Sequence, residues 1–231
     1  YLYLLFRGER PVPAHARALE TLAIALANPG PREASVHAAM CAGVGGSPAA
    51  AALMAAAGVG AGNLGGGREV WHAMHAWAAC GTDLDAWRGH LRAPPAPDAA
   101  DIWPALEHAA GFDPHGASCA TPVRQTLDAV AGALPQGLTA WLRTHRETLE
   151  GAADAPLALS GVAAAALADL GFSPAQGEMY YLLARLPGAA VHALEQAHYG
   201  WRRFPYFHDG LVLTNDPGAP TGPPAPPAVW P

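Results

Sequence analysis

Lysine is absent from this 231-residue chain, and all 13 of its basic residues are arginine. A Walker A loop, a catalytic Schiff base and a lysine-anchored pyridoxal phosphate each need a lysine amine, so the sequence excludes these classes. Cysteine is scarce as well, since Cys41, Cys80 and Cys119 are far apart in the sequence and form no C-x-x-C pair. The sequence therefore indicates neither a zinc knuckle nor a disulfide scaffold.

Long apolar runs and basic clusters are also missing. Glycine, proline or histidine interrupts each alanine-rich stretch before it reaches the ~20 apolar residues that span a bilayer. The formal net charge is −6, and the scattered arginines form no stripe that could follow a phosphate backbone. With 51% hydrophobic residues, the chain can bury a full core. We therefore expect a cytoplasmic globular protein that binds neither membranes nor nucleic acids.

Helical periodicity dominates the sequence that is present. Leucine and alanine recur at helical spacing from AHARALETLAIALAN to PAQGEMYYLLARLPGAAVHALEQAHYG, and DAADIWPALEHAAGF is predicted as a further helix despite its internal proline. Period-two alternation is rare, and GLVLTND is the one strand candidate. The end of the chain, 217–231, holds seven prolines in fifteen residues and is predicted as an extended or disordered tail. The sequence predicts an all-α fold.

The segment GVGAGNLGGGREVWHAMHAW contains two patterns that invite a cofactor interpretation. Gly60, Gly62 and Gly65 match G-x-G-x-x-G, but a dinucleotide fingerprint needs a strand before the glycines, and here a helical pattern precedes them. His72 and His75 lie three residues apart on a predicted helix, but no carboxylate or cysteine stands at a spacing that completes a ligand set. We therefore expect no dinucleotide site and no metal.

A collinear series of segments, from the first residue to about residue 216, resembles the citrate synthase and citryl-CoA lyase superfamily. In chain order, the segments are similar to that family's LLxGExPT, AGxxALxGxxHGGA, PGFGH, SGxxxxxLGxP and ARxxGWxAHxxEQ patterns. They are YLYLLFRGERPVP, AAGVGAGNLGGGREV, AAGFDPHG followed by TPVRQTLDAV, LSGVAAAALADLGFSP, LLARLPGAAVHALEQ and, at the C-terminal end, GWRRFPYF.

This resemblance implies an all-α, citrate synthase-like fold in which the active-site cleft lies between a large and a small helical domain. Residues 1–66 and 159–216 would form the large domain, 67–158 the small domain, and 217–231 the proline-rich tail. It also implies a homodimer, consistent with the alanine- and glycine-rich surfaces of the helices in 34–62. The implied substrates are an acyl-CoA thioester and a small 2-keto acid or dicarboxylate, with no metal.

The resemblance assigns ligand-binding roles to several residues. His115 occupies the place of the histidine that polarises the keto group. Arg124 and Arg203 fall where the family places carboxylate-binding arginines, which form bidentate bonds. His37 lies where some members bind the keto acid. Gly65, Gly66 and Gly67 match the family's glycine-rich turn, and the resemblance implies that they bind the cofactor.

The sequence lacks the expected acid and base residues at two places. The enol-stabilising histidine should stand before the double glycine, where Leu64 follows Asn63. A carboxylate base is expected near LALSGV, where Leu157 and Ser160 occur and the nearest carboxylate in sequence is Asp154. A positioned acid or base contributes roughly 10² to 10⁴ in rate, so both losses matter.

Two hypotheses follow from these departures. In the first, the protein is an acyltransferase or lyase that makes or breaks a carbon–carbon bond beside a CoA thioester, with Asn63, Asp154 or Asp113 recruited alongside His115. In the second, it is a catalytically impaired homologue or partner subunit that binds CoA or a dicarboxylate. An unrelated function is the third alternative, because proteins of one fold can carry out different chemistry.

Overall fold

The computed structural model describes residues 1–93 and 108–205. Within these ranges every regular element is helical, and the one β feature is an antiparallel bridge between Phe112 and Leu157. The all-α prediction is therefore confirmed for the described part of the chain. The elements are α1 (Leu2–Arg7), α2 (Pro13–Ala27), α3 (Ala34–Val44), α4 (Ala49–Gly60), α5 (Gly67–Cys80), α6 (Leu84–Arg92), α7 (Thr121–Ala133), α8 (Leu138–Ala153), α9 (Leu159–Asp169), α10 (Pro174–Tyr199) and a 3-10 turn (Trp201–Arg203).

Three sequence predictions fall wholly or partly outside these ranges. The strand candidate GLVLTND and the tail 217–231 lie beyond the described residues, as does most of the predicted helix DAADIWPALEHAAGF. The last five residues of that segment, 108–112, form turns and the bridge residue Phe112. Helix was the wrong prediction for this stretch: Gly111 is left-handed (φ 89°), and its N–H and carbonyl bond to Glu69 and to the Ala158 N–H.

Helix α9 is the central element of the main core. Its sequence LSGVAAAALAD is apolar or small on every side, as is typical of a helix with no solvent face, and eight of its eleven residues are buried. It packs against α2, α5, α7, α8 and α10. Asp169, at its C-terminal end, caps α8: its carboxylate accepts bonds from the Thr139 N–H (2.9 Å) and hydroxyl (2.8 Å).

A smaller second core lies where α3 and α4 pack on the C-terminal half of α10. Small residues allow the close approach: a Cβ on Gly43 would lie 2.2 Å from the Ala193 carbonyl oxygen. Helix α10 starts with a complete capping box between Ser173 and Gln176 and continues through Pro187, so it joins the two cores. No helix in the described ranges is long and apolar enough to cross a membrane.

Candidate functional site

Three chain segments enclose a cavity of about 250 Å³ beside the main core. They are the glycine turn (residues 61–66), the 108–116 segment, and residues 157–160 at the start of α9; the first turn of α7 closes the remaining side. The apolar lining side chains are Leu64, Phe112, Ala120, Val123, Leu157, Ala158 and Leu159. The polar residues at the wall are Glu69, Asp113, His115 and Ser118. The mostly apolar wall suits an apolar group better than a charged one.

The glycine turn owes its composition to close packing. Gly65 has φ 63°, a left-handed conformation that favours glycine. A Cβ on Gly66 would lie 2.3 Å from the Gly62 carbonyl oxygen, and one on Gly67 would lie 3.0 Å from Leu182. Gly65 lines the cavity, whereas Gly66 and Gly67 are buried beneath it. The turn therefore places Leu64 and Gly65 at the cavity wall.

Helix α10 fixes the Gly65 carbonyl from the side of the second core. The Tyr181 hydroxyl donates to this oxygen at 3.0 Å, and the Arg185 guanidinium donates at 2.9 Å. Burial raises the pKa of Tyr181 to about 12, so this hydroxyl keeps its proton and remains a donor at neutral pH. Arg185 also pairs with Glu33, the N-cap of α3, at 2.5 Å. The turn is thereby connected to two helices outside the cavity.

Glu69 is a buried carboxylate that contacts all three segments, and the sequence analysis did not single it out. The residue is 1% exposed. Its Oε2 accepts a bond from the Gly65 N–H, and its Oε1 accepts bonds from the Gly111 N–H and the Ser160 hydroxyl, both at 2.8 Å. His108 Nε2 lies 3.8 Å from Oε1. The sequence signal was an acidic residue in the first turn of a helix after glycines, which by itself indicates only a helix start.

The 108–116 segment is attached to the chain before α9. The Asp113 N–H donates to the Pro156 carbonyl at 2.8 Å, and the Ala158 N–H donates to the Gly111 carbonyl at 2.9 Å. The Asp113 carboxylate accepts the His115 N–H at 2.9 Å, which makes a tight turn at the cavity wall. His115 is exposed and lines the cavity together with Leu64 and Gly65. The structure thus brings His115 to the glycine turn.

Two of the other predicted site residues lie in a neighbouring, more open cleft of about 470 Å³. Arg124 donates to its neighbour Thr121 at 3.2 Å, and Asp154 ends α8 in the left-handed conformation (φ 52°). This cleft is also lined by Arg146 and Ser118, and Ser118 is shared with the apolar cavity. Arg124 and Asp154 are therefore neighbours of the cavity and do not line it.

The remaining predicted residues are not brought to the cavity wall. Asn63 belongs to the glycine turn, but its Oδ1 is buried and meets no hydrogen-bond donor among the described residues. His37, on α3, packs edge-to-face on Phe204 with ring centroids 5.1 Å apart, in the region of the second core. Arg203 is exposed in the closing 3-10 turn.

Leu64 and Leu157 are the two leucines at which the sequence departs from the resembled catalytic pattern, and both line the apolar cavity. Leu64 is 58% exposed and forms part of the mouth, whereas Leu157 is 3% exposed and belongs to the main core. A leucine side chain neither donates nor accepts a proton. Leu64 at the place of the expected histidine, and Leu157 in the segment where a carboxylate is expected, therefore contribute hydrocarbon surface.

Comparisons with known proteins bear on the fold. No protein-family model matches the chain, and no curated protein matches it. Among solved structures, the chain is similar to the citryl-CoA lyase from Hydrogenobacter thermophilus, with a TM-score of 0.68 and 18% sequence identity over 100% of this chain and 85% of the lyase. The chain thus has an all-α, citrate synthase-like fold, the fold of that citryl-CoA lyase. The resemblance found in the sequence is confirmed at the level of the fold.

Proposed function

We propose that the chain is a divergent relative of the citrate synthase and citryl-CoA lyase superfamily that binds a short-chain acyl-CoA thioester with the acyl group in the apolar cavity. The observation that carries the proposal is the presence of Leu64 and Leu157 in one cavity wall. The shared fold with a citryl-CoA lyase supports the choice of a CoA thioester. The wall chemistry supports binding of an acyl chain in preference to acid–base catalysis.

The size of the cavity limits the ligand. At about 250 Å³, it is smaller than the roughly 300 to 1,000 Å³ of sites that hold drug-sized ligands. It therefore fits a short acyl group, and the nucleotide part of CoA stays outside. Each buried methylene contributes about 0.8 kcal/mol, which corresponds to roughly a fourfold gain in affinity. Affinity should rise with chain length until the cavity is full.

Glu69 is poorly suited to be the missing base. Its oxygens already accept bonds from the Gly65 N–H, the Gly111 N–H and the Ser160 hydroxyl. Abstraction of a substrate proton would break bonds to donors that have no other partner at that buried position. The polar groups left at the wall are His115, Asp113 and Ser118.

One observation favours a second candidate, a carbon–carbon bond-forming or bond-cleaving enzyme that uses a CoA thioester and a 2-keto acid. Asp113 and His115 line the cavity from one tight turn. A carboxylate and an imidazole so placed are the residue types that general acid–base chemistry requires. In this candidate, His115 polarises the keto group of the 2-keto acid, and Asp113 takes a proton from the α-carbon of the thioester.

Calorimetric titration with acetyl-, butyryl- and hexanoyl-CoA, with free CoA as the reference ligand, tests the binding proposal. We expect saturable binding that strengthens with chain length and exceeds that of free CoA. In parallel, free thiol is followed with each thioester and a panel of 2-keto acids that includes oxaloacetate. Steady thiol release that disappears in His115→Ala would establish the enzyme instead. Equal affinity for free CoA and every thioester would eliminate the acyl-binding proposal.

A matched pair of surface variants locates the site. Leu64→Asp places a carboxylate at the cavity mouth and should weaken thioester binding several-fold, since it removes hydrocarbon from the wall and repels the anionic CoA. Leu5 is 62% exposed, close to the 58% of Leu64, but lies on α1 and does not line the cavity. Leu5→Asp should bind as the wild type does. If the two variants bind the thioester with equal affinity, the ligand binds at another site.

A homodimer is the assembly that we propose. Met54 on α4 and Leu194 on α10 are 73% and 70% exposed, so the helices of the second core present large apolar side chains to solvent. Such surfaces are typical of protein contacts. Analytical ultracentrifugation should give a particle mass of twice the 23.7 kDa of the chain. Leu194→Arg should shift the equilibrium toward the monomer. A wild-type monomer at micromolar concentration would refute the proposal.

A further inference from the structure

We propose that Glu69 is the positioning residue of the cavity, which means that one carboxylate fixes the mutual placement of the three segments that form its walls. The inference rests on the proposed binding function only for its effect on affinity. The contacts that it explains are present without any ligand.

Each wall segment contributes one hydrogen-bond donor to Glu69. The Gly65 N–H comes from the glycine turn, the Gly111 N–H from the 108–116 segment, and the Ser160 hydroxyl from α9. These residues lie 4, 42 and 91 positions away from Glu69 in the sequence. Since Glu69 is only 1% exposed, water does not replace a donor that is lost.

The two carboxylate oxygens have different partners. Oε1 accepts bonds from Gly111 and Ser160 and so links the 108–116 segment to α9. Oε2 accepts the bond from Gly65 and so links the glycine turn to these two segments. The carboxylate sits in the first turn of α5, where the helix dipole favours negative charge. His108 lies 3.8 Å from Oε1 and is the fourth polar neighbour.

This division predicts different consequences for different variants. Glu69→Gln, with its oxygen at the Oε1 position, keeps the bonds to Gly111 and Ser160, but its NH₂ group faces the Gly65 N–H. The glycine turn then loses its bond to Glu69 and is held by Tyr181 and Arg185 alone, while the other two walls stay joined. Glu69→Ala removes the shared acceptor of all three segments and leaves the 108–116 segment only its backbone bonds to the chain before α9. Ser160→Ala removes one donor but leaves both backbone contacts to Glu69 in place.

Asp169 provides a matched control for loss of stability. It is another carboxylate that accepts three bonds, from the Leu138 N–H, the Thr139 N–H and the Thr139 hydroxyl. It caps α8 and does not line the cavity. Asp169→Asn and Asp169→Ala should therefore lower stability as the Glu69 variants do, without changing the cavity.

The experiment compares butyryl-CoA affinity, urea midpoints and the amide NMR shifts of Gly65 and Gly111 in these variants. We expect affinity to fall less than about threefold in Ser160→Ala, about tenfold in Glu69→Gln and about a hundredfold in Glu69→Ala. Both Asp169 variants should keep the wild-type affinity. The Gly65 amide should shift in Glu69→Gln more than the Gly111 amide, and both should shift in Glu69→Ala.

Two results would overturn the proposal. One is a Glu69→Gln protein with unshifted Gly65 and Gly111 amides, which remains decisive if Glu69→Ala does not fold. The other is a loss of affinity in the Glu69 variants that the Asp169 variants reproduce at equal stability, which would mark a general structural role. If the wild type binds no thioester, the binding function fails, and the amide pattern still decides whether Glu69 positions the three segments.

Discussion

The replacement Gly161→Ala tests how the cavity walls are held together. Gly161 lies in the first turn of α9, and its missing side chain leaves room for the 108–116 segment. An added Cβ would lie 2.4 Å from the Gly111 carbonyl oxygen and 2.9 Å from Cδ1 of Leu157. The Leu157 side chain could rotate, but the carbonyl belongs to the backbone. We therefore expect the 108–116 segment to move away from α9.

The cost has three contributions. Overpacking of this kind typically costs about 1 to 3 kcal/mol. The hydrogen bond from the Ala158 N–H to the Gly111 carbonyl, 2.9 Å long, lengthens or breaks, with a loss of roughly 0.5 to 1.5 kcal/mol. Alanine in a helix recovers about 0.5 to 1 kcal/mol relative to glycine. The net destabilisation should be about 0.5 to 4 kcal/mol.

Urea unfolding followed by circular dichroism measures this loss, with an expected fall in the midpoint of roughly 0.2 to 2 M. Gly89 on α6 is the matched control, because a Cβ there would meet nothing within 4 Å. Gly89→Ala should raise the stability by about 0.5 to 1 kcal/mol. If Gly161→Ala also stabilises the protein, the two segments do not approach as closely as described, and the derivation is refuted.

Two further predictions concern groups outside the cavity. Asp169→Ala should lower the free energy of unfolding by about 2 to 4 kcal/mol, because it leaves the buried Thr139 donors without their acceptor; urea midpoints measure this. Burial, reinforced by the Glu150 carboxylate, raises the pKa of Cys119 from 9.0 to about 11, so its contribution to stability is present below pH 9 and is lost as the pH rises toward 11. Iodoacetamide at pH 8.5 should therefore modify the exposed Cys41 and spare Cys119, as mass spectrometry would show; equal labelling of the folded protein would contradict this.

Local patterns predicted much of the fold because a helix is specified mainly by neighbours three and four residues apart. The segment LSGVAAAALAD has no polar face, and it became the buried helix α9. The 108–112 stretch was predicted as helix and is not one: Gly111 is left-handed, and its N–H donates to Glu69, 42 positions away. No local pattern contains that contact.

The candidate site, too, could be predicted from the sequence only in part. The departures Leu64 and Leu157 were visible in the sequence, because Leu64 stands where the resemblance places a histidine and Leu157 lies in the segment where it places a carboxylate. That both line one cavity follows only from the packing of the segments around it. Glu69 was missed for the same reason, since two of its three donors come from segments 42 and 91 positions away.

The sequence by itself determined the chemistry that is available: arginine without lysine, small apolar helices, and hydrocarbon at two positions where an acid and a base were expected. The tertiary structure decided which of those groups meet. It placed His115 at the glycine turn and Arg124 in the neighbouring cleft, and it buried Glu69 between three backbone segments. The physical reason is that residue types and short-range periodicity are properties of the chain, whereas a cavity is created by the packing of segments that are distant in sequence.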